Sequence, residues 1–170
     1  MIPAFSVVGK SNTGKTTLIE KLVPELKRRG YRVATVKHDV HGFEIDHEGK
    51  DTWRHRRAGA DVVVIASPDR MAMIESLAGE PLLGDILARV RGVDLIITEG
   101  FKRGPLPKLE VLRSARSPEI LCAGDQQLFA IASDISLNGA VPGAVPVFDW
   151  NDAAGLVDLI ERRFLEADAP

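Results

Sequence analysis

Short runs of β-branched and other apolar residues alternate with longer stretches in which apolar residues recur every three or four positions. The short runs predict buried strands, because continuous apolar segments bounded by turn residues are typical of sheets covered on both faces. These strands are expected at residues 5–8, 32–37, 61–66, 70–74, 93–98, 109–112, 128–132 and 145–148. The turn Ser67-Pro68-Asp69 predicts that the third and fourth of them form an antiparallel hairpin.

The longer stretches predict helices, of which the first is the clearest. It begins near Lys15, presents one apolar face and ends at Gly30, because glycine favours the left-handed conformation of a helix C-terminus. Pro24 inside it predicts a kink or a solvent-facing break. Further helices are expected at 52–58 after a cap at Asp51, at 82–90, and after a cap at Asn151. The alternation predicts an α/β fold whose mostly parallel sheet carries helices on both faces.

Residues 9–16, Gly-Lys-Ser-Asn-Thr-Gly-Lys-Thr, match the pattern G-x-x-x-x-G-K-[ST] at every fixed position. An apolar strand precedes the motif and an amphipathic helix follows it, which argues against a chance glycine-rich turn. The glycines let backbone N–H groups point at phosphate oxygens, and the lysine adds a full charge. The fold prediction is therefore P-loop NTPase-like. The expected nucleotide-binding residues are Gly9, Ser11, Asn12, Thr13, Gly14, Lys15, Thr16 and Thr17.

Oxygen ligands for a nucleotide-bound Mg²⁺ are expected from four residues. Thr16 occupies the motif position whose hydroxyl ligates the metal, and Glu99 closes an apolar strand where a second acid is expected. Asp39 follows the second strand and is expected to hold metal or to position an attacking water, the alternative being an ordinary turn residue. Asp46 lies further along the same polar loop. The candidate catalytic residues are Lys15, Asp39 and Glu99.

The polar segment 38–55 contains all four histidines, His38, His41, His47 and His55. Three interpretations stay open. They are a transition-metal site, a mobile switch loop that brings Asp39 or Asp46 near magnesium, and an ordinary solvated loop. The histidine spacing matches no tight zinc pattern, and no cysteine lies nearby.

Asp134 follows a late strand, where a carboxylate reads guanine in GTP-binding proteins of this kind. Guanine offers a pair of N–H donors that adenine lacks, so such a carboxylate discriminates between the two bases. The fuller N-K-x-D signature is absent, and the alternative is a turn aspartate at a strand end.

Two basic clusters are candidates for contact with an anionic ligand. Residues 54–57 form the first, and Lys102, Arg103 and Lys108 form the second. Arginine suits bidentate contact with phosphate, but charged faces are commonly only solvated. Both interpretations stay open.

Composition narrows the function classes. The chain has 170 residues and 18.5 kDa, which predicts one nucleotide-binding domain over residues 1–170. Lys plus Arg number 22 and Asp plus Glu 24, so the net charge of −2 gives no general attraction to nucleic acid or to an anionic membrane. The single cysteine, Cys122, excludes an internal disulfide, and no apolar run is long enough to span a membrane. With no visible secretion signal, a cytoplasmic protein is expected.

Several segments together resemble the molybdopterin-guanine dinucleotide biosynthesis protein B (MobB) family. The phosphate loop alone is shared by many nucleotide hydrolases, whereas Lys37-His38-Asp39, Lys50-Asp51-Thr52 and Glu99-Gly100-Phe101-Lys102 are more specific. Residues 10–13 depart from the commonest sequence in the family, which has smaller residues at these positions. The matching segments are 9–18, 36–39 with Asp46, 49–54, 58–60, 98–102, 107–111 and 132–134.

The resemblance implies a P-loop fold, GTP binding with Mg²⁺ and weak intrinsic hydrolysis. It also implies a homodimer built through added strands, and work beside a guanylyltransferase partner (MobA-like) that joins GMP to molybdopterin. In that setting Arg54, Lys102 and Lys108 would face a molybdopterin-type phosphate or the partner protein.

Two other functions stay open. One is an ATP-dependent small-molecule kinase or ligase similar to dethiobiotin synthetase, which Glu99-Gly100 would also suit. The other is a non-enzymatic adaptor whose nucleotide only locks a dimer. No arginine finger or activating glutamine is identifiable in the sequence, which predicts slow nucleotide turnover.

Overall fold

The computed structural model describes residues 1–39, 42–114, 119–137, 141 and 143–166. The chain forms two compact units, Met1–His38 with Ile86–Pro170, and Asp39–Asp85. A single domain over residues 1–170 stays a prediction. No helix in the described ranges is long and apolar enough to cross a membrane.

In chain order the elements are β1 (Ala4–Val8), α1 (Lys15–Arg28), β2 (Val33–Lys37), α2 (Asp51–Arg57), β3 (Val62–Ala66), β4 (Met71–Glu75), α3 (Leu83–Arg89), β5 (Leu95–Glu99), β6 (Lys108–Leu112), β7 (Leu128–Ser133), β8 (Val147–Asp149) and α4 (Ala153–Ile160), which continues as a π-helical turn, Glu161–Leu165.

The first unit is built on a six-stranded sheet with the order β2-β5-β1-β6-β7-β8. Every neighbouring pair in it is parallel, which confirms the mostly parallel sheet. The carboxyl ends of the six strands therefore meet at one edge, where ligands of such sheets bind. The phosphate loop follows β1 at this edge, beside the ends of β5 and β6.

Alternate residues of the central strands point to the two faces of this sheet. On one face, α1 and α4 pack against residues such as Phe5, Val7 and Leu109 in the larger core cluster. On the other face, Val8 and Ile131 pack against apolar residues that lie outside helices. Helices were expected on both faces, but in these two clusters α1 and α4 lie on one face, and apolar loop residues cover the other.

The second unit contains the antiparallel hairpin of β3 and β4, as the turn at residues 67–69 predicts. The apolar run of β3 predicts a buried strand, but only Val63 of that strand is buried. A two-stranded sheet has few neighbours to cover its faces, so an apolar run alone does not make this strand a core element.

The first helix ends as predicted. Gly30 has a φ of +93°, and the N–H groups of Gly30 and Tyr31 donate to the carbonyl oxygens of Lys27 and Leu26. This is the paired bonding of a Schellman motif, which satisfies carbonyls at a helix end. Pro24 is exposed, and the helix continues across it, so the expected break is wrong.

Two predicted helix caps are wrong by one residue. Asp51 is the first residue of α2, and Lys50 precedes it without a side-chain cap. Asp152, rather than Asn151, caps α4, because its Oδ1 accepts a hydrogen bond from the Gly155 N–H at 2.9 Å, three residues further on. The amide oxygen of Asn151 instead accepts a hydrogen bond from Lys21.

Candidate phosphate-binding site

The loop between β1 and α1 has two positions whose backbone favours glycine. Gly9 has a φ of +149°, and a Cβ there would lie 2.7 Å from the carbonyl oxygen of Val111. Gly14, with a φ of +89°, precedes α1, and no side chain caps that helix. The Thr13 hydroxyl donates to the carbonyl oxygen of Lys10 at 2.9 Å and so holds the loop curved. Uncapped N–H groups at a helix start are suited to an anion.

Lys15 lies within this curve. Its ammonium group donates to the carbonyl oxygens of Lys10 at 2.8 Å and of Gly9 at 3.3 Å. Burial lowers the pKa of Lys15, Glu99 partly restores it, and the neighbouring Lys37 lowers it further. The hydrogen bonds of this half-buried ammonium go to neutral carbonyl oxygens, so it can form stronger, charge-assisted hydrogen bonds to a phosphate.

Thr16 and Glu99 are brought together as the sequence predicts. The Thr16 hydroxyl lies 2.8 and 2.9 Å from the two carboxylate oxygens of Glu99. The sheet register places Glu99 beside Val7 on one side and Lys37 on the other. The Lys37 ammonium lies 3.8 Å from the same carboxylate. A hydroxyl and a carboxylate in contact are hard oxygen ligands, which fits Mg²⁺ or its water shell.

A cavity of about 490 Å³ opens over these groups. An adjoining hollow of about 400 Å³, largely apolar, lies between α1 and β2 and shares Thr16, Lys37 and Glu99 with it. Lys37 and His38 were not predicted to bind nucleotide; their place at the carboxyl end of β2 was the available signal. The larger cavity is lined by Ser11, Asn12, Gly14, Lys15, Thr16, Thr17, Lys37, His38 and Glu99.

The predicted metal roles of Asp39 and Asp46 stay predictions, because both residues belong to the second unit. Within that unit the Asp46 carboxylate is largely buried and lies 3.4 Å from the Arg56 guanidinium. No three His, Cys, Asp or Glu residues in the described part of the chain form a group that could hold a metal ion. His41 lies outside the described residues.

The predicted ligand role of Lys108 is wrong. Only 2% of its side chain is exposed, and its ammonium lies 2.8 Å from both an Asp125 carboxylate oxygen and the Gly104 carbonyl oxygen. It therefore ties two loops to the start of β6 and does not face an external anion. Arg54 and Lys102 are exposed, so their predicted contacts stay predictions.

Asp134 lies at the same edge of the sheet, with partners of its own. It accepts hydrogen bonds at 2.7 Å from the Ser114 N–H and from Arg113 Nε. These two bonds lower the pKa of the Asp134 carboxyl, so it is ionised at neutral pH. Such bonds suit a turn aspartate, and a role in reading guanine stays a prediction.

Comparison of the sequence with known proteins identifies a matching family. The family model described as "MobB: Molybdopterin guanine dinucleotide synthesis protein B" matches residues 4–134. The molybdopterin-guanine dinucleotide biosynthesis adapter protein of Haemophilus influenzae is 39% identical over 142 residues, which are 80% of this chain and 77% of that one. The protein of the same name from Escherichia coli is 37% identical over 166 residues, 94% of this chain and 92% of that one.

Solved structures agree with the sequence comparison. The crystal structure of Bacillus subtilis MobB superposes with a TM-score of 0.72 at 27% identity and covers 95% of this chain and 98% of its own. A structure of molybdopterin-guanine biosynthesis protein B gives a TM-score of 0.71 at 28% identity, covering 94% of this chain and 98% of its own. The P-loop NTPase-like fold is thereby confirmed, and the chain belongs to the MobB family.

Proposed function

We propose that this chain is a GTP-binding adapter protein of molybdopterin guanine dinucleotide biosynthesis, which holds GTP with Mg²⁺ and hydrolyses it slowly. The observation that carries the proposal is the grouping of Lys15, Thr16 and Glu99 around a glycine-bounded loop. The adapter role is supported by relatives that carry that name and align over most of their length.

In this proposal each group has a separate role. The loop N–H groups and the Lys15 ammonium bind the phosphates, and Lys15 exchanges its carbonyl partners for phosphate oxygens. Thr16 and Glu99 hold the metal or its waters. A bound Mg²⁺ would neutralise phosphate charge. The Lys37 ammonium, 3.8 Å from the Glu99 carboxylate, adds a second positive charge at the edge of the phosphate cavity.

Calorimetric titration of the purified chain with GTP and ATP, each with and without Mg²⁺, tests the proposal. GTP is expected to bind more tightly than ATP, and Mg²⁺ is expected to strengthen binding. Tighter binding of ATP would contradict the guanine assignment.

Adding a guanylyltransferase of the MobA type is expected to give a complex in gel filtration. The absence of that complex at micromolar concentrations would count against the adapter role.

Replacing Glu99 with glutamine is expected to weaken GTP binding about tenfold in the presence of Mg²⁺ and little in its absence. The amide keeps the size of the side chain and loses the charge that attracts the cation. Titration of GTP affinity against Mg²⁺ concentration measures the effect. Glu20→Gln, which changes an exposed carboxylate of α1, is the matched control. An equal loss with and without Mg²⁺ would assign Glu99 to another role.

The homodimer is part of the same proposal. The hairpin exposes Val64, Ile65, Met71 and Met73, each with more than half of its surface accessible. Exposed apolar strands commonly pair with another chain. Sedimentation velocity is expected to give a dimer that Met73→Asp dissociates, and a monomer at every concentration would remove the homodimer. Dimer dissociation measured with and without GTP tests whether the nucleotide serves only to stabilise the dimer. Equal dissociation in both conditions would remove that function.

A second candidate function, an ATP-dependent small-molecule kinase or ligase, is favoured by one observation. The apolar hollow between α1 and β2 adjoins the phosphate cavity, where an acceptor would have to bind. Incubation with ATP or GTP and candidate acceptors distinguishes the two functions. Phosphoryl transfer that needs an acceptor but no protein partner would favour the kinase.

A further inference from the structure

Trp150 lies against the phosphate loop, although the sequence did not single it out. It follows β8 directly, and its backbone N–H donates to the carbonyl oxygen of Ser133 at the end of β7. A Cβ on Gly14 would lie 3.1 Å from Cζ3 of the indole and 3.4 Å from Nη1 of Arg113. The indole and this guanidinium therefore adjoin the place where phosphates are proposed to bind.

Two cations lie over the Trp150 ring. The Lys21 ammonium is 3.4 Å and the Arg113 guanidinium carbon 3.5 Å from the ring centroid. Two groups this close to one centroid would overlap on a single face, so they occupy opposite faces. Lys21 comes from α1 and also binds Asn151, which keeps its face of the ring covered. Arg113 has a quarter of its side chain exposed, so its face is the one that can be opened.

The Arg113 guanidinium has a second anchor in Asp134. Its Nε donates to Asp134 Oδ2 at 2.7 Å, while the Ser114 N–H holds Oδ1 at 2.7 Å. The carboxylate therefore keeps one backbone partner if the guanidinium leaves. An aromatic face and a carboxylate together bind a flat group that carries N–H donors on its edge.

Guanine, like the Arg113 guanidinium, is a flat group with N–H donors along one edge. Carbon 2 of the base carries three nitrogens, and N1–H and the 2-amino group present donors along one edge of a flat ring. Adenine lacks this donor pair, although it shares the flat face. Both bases can stack on an indole, but only guanine also suits Asp134.

We infer that Trp150 and Asp134 form a guanine-binding slot, which Arg113 fills until the base of a nucleotide displaces it. The inference rests on the proposed nucleotide function and adds to it the residues that select the base. Arg113 acts as an internal competitor. It lowers affinity for every nucleotide whose base stacks on Trp150, and it lowers affinity most for guanine because it also covers Asp134.

Replacing Arg113 with alanine is therefore expected to tighten GDP binding by about five- to tenfold, since one cation–π contact and one partly exposed ion pair no longer compete. Calorimetry of the full chain with GDP, inosine diphosphate and ADP measures this. The gain is expected to fall in that order, because inosine lacks the 2-amino group and adenine lacks both donors. Unchanged or weaker GDP binding would overturn the slot.

Arg70→Ala is the matched control, because Arg70 also pairs with an aspartate, Asp69, on the hairpin. It is expected to leave all three affinities unchanged. Trp150→Leu is expected to weaken all three nucleotides about tenfold by removing the stack. In the Trp150→Leu background, Arg113→Ala is expected to lose most of its effect, and a full effect there would contradict competition for the indole.

Fluorescence gives a readout that does not depend on affinity. The chain has two tryptophans, so Trp53→Phe leaves Trp150 as the only indole. GDP is expected to quench it, and a triphosphate without a base is not. Two results together would show that the slot is wrong while the proposed phosphate site stands. Nucleotides would bind in a Lys15-dependent way, with GDP and ADP binding equally, and the fluorescence of Trp150 would not change. If no nucleotide binds at all, the proposed function fails.

Discussion

Replacing Lys15 with alanine is expected to lower the affinity for GTP with Mg²⁺ by at least about 100-fold. The ammonium sits half-buried in the curve of the loop, where it donates hydrogen bonds to the carbonyl oxygens of Gly9 and Lys10. Charge-assisted hydrogen bonds to phosphate contribute roughly 1.5–3 kcal/mol each, and about 2.7 kcal/mol is a factor of 100 in affinity. Calorimetry with GTP measures the loss directly.

Lys27→Ala is the control for this experiment, since Lys27 lies exposed in the last turn of α1 and carries the same charge. It is expected to bind GTP as the unmodified chain does. Thermal unfolding of both variants distinguishes a lost ligand from a lost fold. Full GTP affinity in Lys15→Ala would remove the phosphate site, and with it the roles of Thr16 and Glu99.

Replacing Glu110 with alanine is expected to destabilise the chain by about 3–5 kcal/mol. Glu110 lies in β6 with no exposed surface, and its two carboxylate oxygens accept hydrogen bonds from the N–H groups of Leu121 at 2.7 Å and Cys122 at 2.9 Å. Alanine would leave both donors without acceptors, at roughly 1–3 kcal/mol each, and would leave a cavity. Urea unfolding measures the change as a lower midpoint at unchanged slope.

Glu110→Gln keeps one acceptor oxygen and the size of the side chain, so about half of this loss is expected. Glu48→Ala, at an exposed carboxylate, is expected to change stability by less than about 0.5 kcal/mol. A stability of Glu110→Ala within that same margin would contradict the anchoring of residues 121 and 122 by this carboxylate.

Elements with a strong local signal were predictable. The glycine-bounded loop between β1 and α1, the length of α1 and its end at Gly30 follow from glycine placement and apolar periodicity, and the structure confirms their geometry. The pairing of Thr16 with Glu99 was predictable too, because the loop before Thr16 follows β1, Glu99 ends β5, and the carboxyl ends of these strands share one edge of a parallel sheet.

Other features depended on which strands become neighbours. Lys108 resembled a surface cation in sequence, but β6 lies between β1 and β7 and buries its side chain against Asp125. The run in β3 resembled a core strand, but it pairs only with β4 and stays largely exposed. Burial depends on what covers a strand, and local sequence carries no such information.

The sequence by itself determined the α/β class, the P-loop and its lysine, and the membership of the chain in its family through motifs spread from residue 9 to 134. Only the tertiary structure decided that Arg113, Trp150 and Asp134 meet, since they follow three different strands and are separated by up to 37 residues, 150 − 113. Local motifs act through the backbone of one segment, whereas contacts between segments arise from the order of strands in the sheet.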